Sequence, residues 1–70
     1  METTIRTIAS KLTAQLNNGN NTALVGARVN NKTMYFELES AQGYFELTTS
    51  KRCIRFDNLN DLHACIEKCL

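Results

Sequence analysis

The feature that most constrains the fold is a two-residue rhythm of apolar side chains that runs from residue 23 to residue 56. Such alternation is typical of strands that bury only one face. Turn-forming residues interrupt it at positions 30–31, 40–43 and 50–51. The paired asparagines at 30 and 31 tolerate positive φ and favour a tight hairpin. The pattern therefore predicts four antiparallel strands that follow one another as a meander.

The last turn predicts a detailed pairing of the third and fourth strands. A two-residue turn at positions 50–51 sets Phe45 opposite Phe56 on the buried side. It also sets Glu46 opposite Arg55 on the other side, and opposite charges across two strands stabilise a sheet. A slip by one residue would expose the whole apolar set to water, so this pairing is strongly specified.

A helical rhythm flanks the strands on both sides. Apolar residues recur three or four positions apart over residues 3–18 and again after Asp57, as they do in amphipathic helices. Asp57 or Asn58 is suited to cap the second helix. The two apolar stripes are Ile5, Ile8, Ala9, Leu12 and Leu16, and Leu59, Leu62, Ile66, Cys69 and Leu70. We therefore predict one α+β domain over residues 1–70, a two-layer sandwich of order α-β-β-β-β-α with both helices on one sheet face.

Cysteine usage and hydropathy bear on the compartment. The chain has three cysteines, Cys53, Cys65 and Cys69, and an odd number does not suggest a disulfide framework. It opens on polar residues, without the apolar segment of a signal peptide. Reduced thiols in a cytoplasmic protein are the simplest interpretation. No apolar run approaches the ~20 residues of a bilayer span, so we expect no membrane association.

The sequence contains no recognisable catalytic or metal-binding pattern. His63, Cys65 and Cys69 lack the paired spacings of structural zinc sites. Cys53 has basic neighbours, which would favour reactivity. Nucleophilic catalysis also needs a base and an oxyanion site, and nothing in the sequence brings His63 to Cys53. We therefore expect neither an enzyme nor a metal or cofactor.

The open face of the predicted sheet is the strongest candidate for binding. An antiparallel sheet often leaves one face in water, so a solvated, charge-paired surface is the plain alternative. Tyrosine and arginine, however, are enriched at the hot spots of protein interfaces. The candidate protein-binding residues on this face are Arg28, Tyr35, Glu37, Glu39, Tyr44, Glu46 and Arg55.

The first predicted strand offers a second way to bind. Residues 22–29 form a sheet edge that contains no proline and one charge, Arg28. Exposed edges of this kind pair with strands of other chains. A homodimer through the first strand is therefore a further candidate, unless the first helix or a bulge at Gly26 blocks the edge.

A nucleic-acid-binding accessory role is the alternative function. Lys32 in the first hairpin turn should lie near Lys51 and Arg52 in the third, because alternate turns of a meander share one end of the sheet. The net charge of +1 lacks the basic excess that is usual for such proteins. The glutamates of the open face would also repel phosphate. We therefore do not favour nucleic acid as the partner.

Together these features predict a small non-enzymatic module that docks onto a larger protein or protein complex. Small proteins without catalytic groups often act as regulators or inhibitors. A phage or mobile-element inhibitor of a host defence complex would fit this description. That last expectation comes from the size of the chain and not from any particular residue.

Overall fold

The computed structural model describes residues 2–70 and the side chains of residues 4–70. The elements are α1 (Glu2–Asn17), β1 (Thr22–Val29), β2 (Lys32–Ala41), β3 (Tyr44–Thr48), β4 (Cys53–Phe56), a short 3₁₀ helix (Leu59–Asp61) and α2 (Leu62–Cys69). The strands form one antiparallel sheet in the order β1-β2-β3-β4. Both helices pack on the same face of this sheet, around a single core. The predicted α+β sandwich is therefore confirmed.

Helix α1 buries its apolar face against the sheet and exposes its polar face. Residues three and four positions apart share a face of a helix, which brings the apolar side chains of α1 onto the sheet. The buried side chains are Ile5, Ile8, Ala9 and Leu12. The helix ends at Asn17, and Gly19 follows with φ of 92°, a left-handed conformation that costs glycine little. The predicted helix over residues 3–18 is displaced by one residue at each end.

The asparagine pair forms the tight hairpin that the sequence predicts. Asn30 and Asn31 have φ values of 53° and 66°. Positive φ at both central residues defines a type I′ turn, whose twist matches that of the flanking strands. Val29 therefore pairs with Lys32, and the ladder continues without a break to Thr22 and Glu39.

The turn between β3 and β4 is held by a threonine. The backbone N–H of Thr49 donates to the carbonyl oxygen of Arg52 at 2.8 Å. The Thr49 hydroxyl oxygen accepts from the backbone N–H groups of Lys51 and Arg52, at 3.2 and 3.3 Å. These bonds close the two-residue turn. The predicted pairing of Phe45 with Phe56 and of Glu46 with Arg55 is confirmed.

The core lies between the inner face of the sheet and the two helices. Phe36, Leu38 and Leu47 are fully buried there, as the two-residue rhythm predicts. Phe45 and Phe56 stack at the β4 side, with ring centroids 5.6 Å apart and planes 23° from parallel. No buried side chain of residues 4–70 is polar, apart from the cysteine thiols. The outer face of the sheet is therefore left to carry the polar side chains.

The second helix begins later than the sequence predicts. Asn58, one of the two predicted caps, accepts from the backbone N–H of Asn60 through Oδ1 at 2.9 Å. This cap starts the 3₁₀ turn, and α2 itself begins at Leu62. Helix α2 also buries Cys65, which lies outside the predicted stripe. Within residues 2–70, no helix is long and apolar enough to cross a membrane.

Candidate functional site

The outer face of the sheet carries all seven predicted protein-binding residues, and the structure divides them into two groups. Three lie on β3 and β4, where one arginine contacts the other two. The other four lie on β1 and β2, where the surface is more exposed. The first group is Tyr44, Glu46 and Arg55, and the second is Arg28, Tyr35, Glu37 and Glu39.

Arg55 is at the centre of the β3–β4 group. Its Nη2 donates to Glu46 Oε2 at 3.2 Å. Its guanidinium carbon lies 4.3 Å from the centroid of the Tyr44 ring, which is a cation–π contact. The hydrogen bond that Arg55 donates to Glu46, and then the nearby Tyr44, raise the pKa of Arg55 above its ordinary value. Tyr44 and Glu46 are half-buried, and both contact Arg55 within the chain.

The β1–β2 group differs, because its apolar side chains are left in water. Leu24 is 59% exposed and Tyr35 is 62% exposed, and no other large apolar side chain of residues 4–70 is exposed. Leu24 faces Glu37 across the strands, and Tyr35 faces Gly26. Leu24 and Tyr35 are thus diagonal neighbours on one face, about 7–8 Å apart by strand geometry. We call the surface formed by Leu24, Tyr35, Glu37 and Glu39 the β1–β2 patch.

A glycine allows Tyr35 to lie flat on the sheet. A Cβ atom at Gly26 would meet the ring atoms Cε1 and Cδ1 of Tyr35 at 3.0 and 3.3 Å. The ring therefore covers the backbone of Gly26. Gly26 pairs with Tyr35 in an unbroken ladder, so β1 has no bulge at this position.

The acidic side chains of the patch are not neutralised by the arginines of the outer face. Glu39 lies directly opposite Glu46, and like charges in such a pair are destabilising. Arg55 contacts Glu46, and the Arg28 guanidinium donates through Nη2 to the carbonyl oxygen of Asn31 at 3.2 Å. Neither Arg28 nor Arg55 therefore forms an ion pair with Glu37 or Glu39. The β1–β2 patch combines an apolar centre with a negative border.

Helix α1 covers part of the β1 edge through one side chain. The Gln15 carboxamide donates through Nε2 to the Leu24 carbonyl oxygen at 3.0 Å, and its Oε1 accepts from the Leu24 N–H at 2.9 Å. A residue of a neighbouring strand would offer the same donor and acceptor. The alternative in which the first helix blocks the edge is therefore correct at Leu24. The sequence pattern gives no sign of this contact.

The basic residues of the predicted nucleic-acid site meet only in part. Lys32 and Lys51 line one cavity of about 230 Å³, so the first and third turns do share one end of the sheet. Arg52 does not line this cavity and lies near the buried Cys69. Two lysines are a small basic surface, and the cavity wall between them is partly apolar, with Val29 and Met34.

The cysteines and the histidine do not form a common site. Cys53 is exposed on the outer face, where the Thr48 hydroxyl lies 3.5 Å from its sulfur. His63 lines a cleft of about 370 Å³ between the two helices, in the other layer of the fold. Burial raises the pKa of the thiols of Cys65 and Cys69. Within the described residues, no three His, Cys, Asp or Glu side chains are grouped to hold a metal ion.

Comparison with known proteins does not indicate a function for this chain. No protein-family model matches the chain, and neither the curated proteins nor the solved structures include a significant match. Within residues 4–70, the β1–β2 patch holds both of the exposed large apolar side chains.

Proposed function

We propose that the protein is a non-enzymatic binding module that docks onto a larger protein through its β1–β2 patch. The observation that supports this most is the pair of exposed side chains, Leu24 and Tyr35, which are diagonal neighbours on the outer face of the sheet. Complete burial of a leucine side chain contributes about 1.5–3 kcal/mol. Tyrosine is among the residues that dominate interface energies. A partner that covers this patch would therefore gain free energy from both.

The charges around the patch favour a partner with a basic border. Glu37 and Glu39 are exposed beside Tyr35 and are not paired with the arginines of the same face. Polar and charged side chains commonly form the rim of an interface, where they guide orientation and association rate. Lysines or arginines on the partner would meet these carboxylates.

The proposal includes a role as a regulator or inhibitor in the cytoplasm. A module of this kind acts by occupying a surface of its partner, as an inhibitor of a larger complex does. A phage or mobile-element origin, with a host defence complex as the target, is consistent with the small size of the chain. The three cysteines are all free thiols, which suits a reducing compartment.

Site-specific crosslinking in the cells that express the protein tests this proposal. A photoreactive phenylalanine analogue would replace Tyr35 in one variant and the exposed Ala64 of α2 in the control. We expect a discrete adduct with one protein at position 35 and none at position 64. Leu24→Ser should abolish the adduct, because it removes the apolar neighbour of the probe. The same adducts at both positions would contradict the proposal.

A second experiment, with single alanine variants, distinguishes the β1–β2 group of the outer face from the β3–β4 group. Tyr35→Ala should lose the partner, while Tyr44→Ala should retain it, because Tyr44 is held by Arg55 within the chain. The triple variant Tyr35→Ala/Tyr44→Ala/Glu46→Ala removes candidates from both halves. If the triple variant keeps every partner of the wild type, the outer face is not the docking surface.

Nucleic-acid binding remains the second candidate function, because Lys32 and Lys51 line one cavity. Contacts to phosphate release counterions, so such binding weakens steeply as salt is raised. It would also weaken in Lys32→Glu and Lys51→Glu variants. If neither single- nor double-stranded DNA or RNA binds at low salt, this candidate is excluded.

A further inference from the structure

A groove runs between helix α1 and the free side of strand β1. It begins beyond the contact of Gln15 with Leu24 and has a volume of about 200 Å³. One wall comes from α1 and the other from the second half of β1. The residues that form these walls include Thr4, Thr7, Ile8, Lys11, Gly26 and Arg28.

The β1 side of this groove offers backbone hydrogen-bonding groups. In an antiparallel ladder, alternate residues direct their N–H and C=O groups toward the neighbouring strand or away from it. The hairpin closes at Val29 and Lys32, so Leu24, Gly26 and Arg28 direct theirs away from β2. Gln15 occupies those of Leu24 alone. The groups of Gly26 and Arg28 border the groove and are suited to pair with an added strand.

The charges of the groove indicate what kind of strand would add. Lys11 and Arg28 line it, and none of the described residues in its walls is acidic. We propose that the groove binds an extended, acidic segment of a partner protein, which pairs with β1 at Gly26 and Arg28 and directs a carboxylate toward Lys11. Main-chain bonds supply the affinity in such strand addition, and side chains supply the selectivity. This inference rests on the proposed function, since it names a segment of the protein partner.

A second copy of this chain fits the groove less well than an acidic segment does. Pairing of two β1 edges would bring together two grooves that are each lined by Lys11 and Arg28, and neither copy would supply an acidic side chain from its groove to meet these charges. Gln15 would also occupy Leu24 in both copies, which leaves few free positions. Charge complementarity therefore favours the acidic segment.

The test uses a synthetic peptide, acetyl-Thr-Val-Glu-Val-Glu-Val-amide, titrated into the isotopically labelled full chain. Amide resonances report the site of binding, and Gly26 is easily resolved because the chain has three glycines. We expect the amide signals of Gly26 and Arg28 to shift. Two control peptides, one with lysine for glutamate and one with proline for the central valine, should leave these signals in place.

Charge-reversal variants test the selectivity. The double variant Lys11→Glu/Arg28→Glu should bind the acidic peptide roughly tenfold more weakly. The matched control Lys32→Glu/Lys51→Glu changes the net charge equally but lies away from the groove, so its affinity should stay within about twofold.

Several results would overturn the inference. These are equal binding of the lysine peptide, shifts confined to the outer face, or no shift of Gly26 at about 1 mM peptide. Self-association that is lost on charge reversal at Lys11 and Arg28 would assign the edge to a second copy instead.

If a partner crosslinked at position 35 binds the double variant unchanged, the edge inference fails while the proposed function stands. If position 35 yields no adduct, the proposed function fails instead.

Discussion

Individual residues set the backbone at the points where the chain reverses. Asn30 and Asn31 both adopt positive φ, and Gly43 does so at the next turn, with φ of 84°. Left-handed backbone is costly for most residues and cheap for glycine, with asparagine between them. These positions therefore decide which residues of adjacent strands face each other, and hence which side chains reach the outer face.

Substitutions of Asn31 should show how strongly the stability of the fold depends on the cost of positive φ at this position. Asn31→Gly should leave the free energy of unfolding unchanged or slightly higher, because φ of 66° suits glycine. Asn31→Val should lower it by about 1–2 kcal/mol, because a β-branched side chain opposes this conformation. Urea unfolding measures both variants. Equal stability of the two variants would contradict the type I′ assignment.

The two buried thiols should make stability depend on pH in the alkaline range. Burial raises the pKa of Cys65 and Cys69 above the ordinary thiol value of 9.0. The folded state then keeps protons that the unfolded chain has lost. Stability is therefore complete below the ordinary thiol value and falls as pH rises toward the raised pKa values.

Unfolding measurements between about pH 8 and pH 10 check this dependence. The wild type should lose stability over this range more steeply than the double variant Cys65→Ala/Cys69→Ala, which has no buried thiol to ionise. Cys53→Ala is the matched control, because it removes an exposed thiol and keeps both buried ones, and it should lose stability more steeply than the double variant. A double variant with the wild-type slope would show that other groups cause the loss.

At the level of secondary structure, the contact between α1 and β1 determines how much of the sheet edge is covered. Ile8 and Leu12 anchor α1 on the sheet, and Gln15 extends this attachment to the edge of β1. The same carboxamide both fixes the helix and covers one position of the edge. The part of the edge that borders the groove is therefore the half of β1 that follows Leu24.

Removal of the Gln15 side-chain amide should loosen this attachment. Gln15→Ala loses two hydrogen bonds at a solvent-accessible site, and we expect a loss of about 0.5–1.5 kcal/mol in stability. Hydrogen exchange of the Leu24 amide should accelerate more than that of Val25, whose N–H lies within the sheet. Unchanged protection of Leu24 would show that Gln15 does not hold the edge in solution.

The elements themselves could be predicted from the sequence, but several of their contacts could not. Alternation and turn residues specify the strands locally, and the short third turn specifies Phe45 opposite Phe56. The pairing of Glu39 with Glu46 could not be predicted, because the turn residues at positions 40–43 do not determine the register of β2 and β3. The bond of Gln15 to Leu24 depends on where α1 crosses β1, which no local pattern encodes. The groove at Lys11 and Arg28 depends on the same crossing.

For the whole molecule, the limiting quantity is the size of the core. A chain of 70 residues buries only about 60% of the surface that it exposes when unfolded, so its stability is marginal. The core nevertheless contains no polar side chain other than the thiols among the described residues. Its stability therefore depends on a few large apolar side chains, and exposed side chains such as Tyr35 contribute little.

Two adjacent aromatic residues should show this contrast directly. Phe36→Ala should cost about 3–5 kcal/mol, because the ring is fully buried, and a domain this small should then be largely unfolded. Tyr35→Ala should cost less than about 1 kcal/mol, because the ring lies on the surface. Thermal unfolding followed by circular dichroism distinguishes the two. Similar losses for both would contradict the assignment of inner and outer faces.

The carboxamide of Gln15 also limits where another strand could begin to pair with the edge of β1. Because Leu24 is occupied, a segment that adds along the groove would form its first bonds at Gly26 and would have little room to shift before the hairpin. A displacement of one residue would exchange the side chains that face the helix for those that face away. The edge would thus fix the register of the bound segment. Binding would then depend on the positions of the side chains in that segment as well as on its charge.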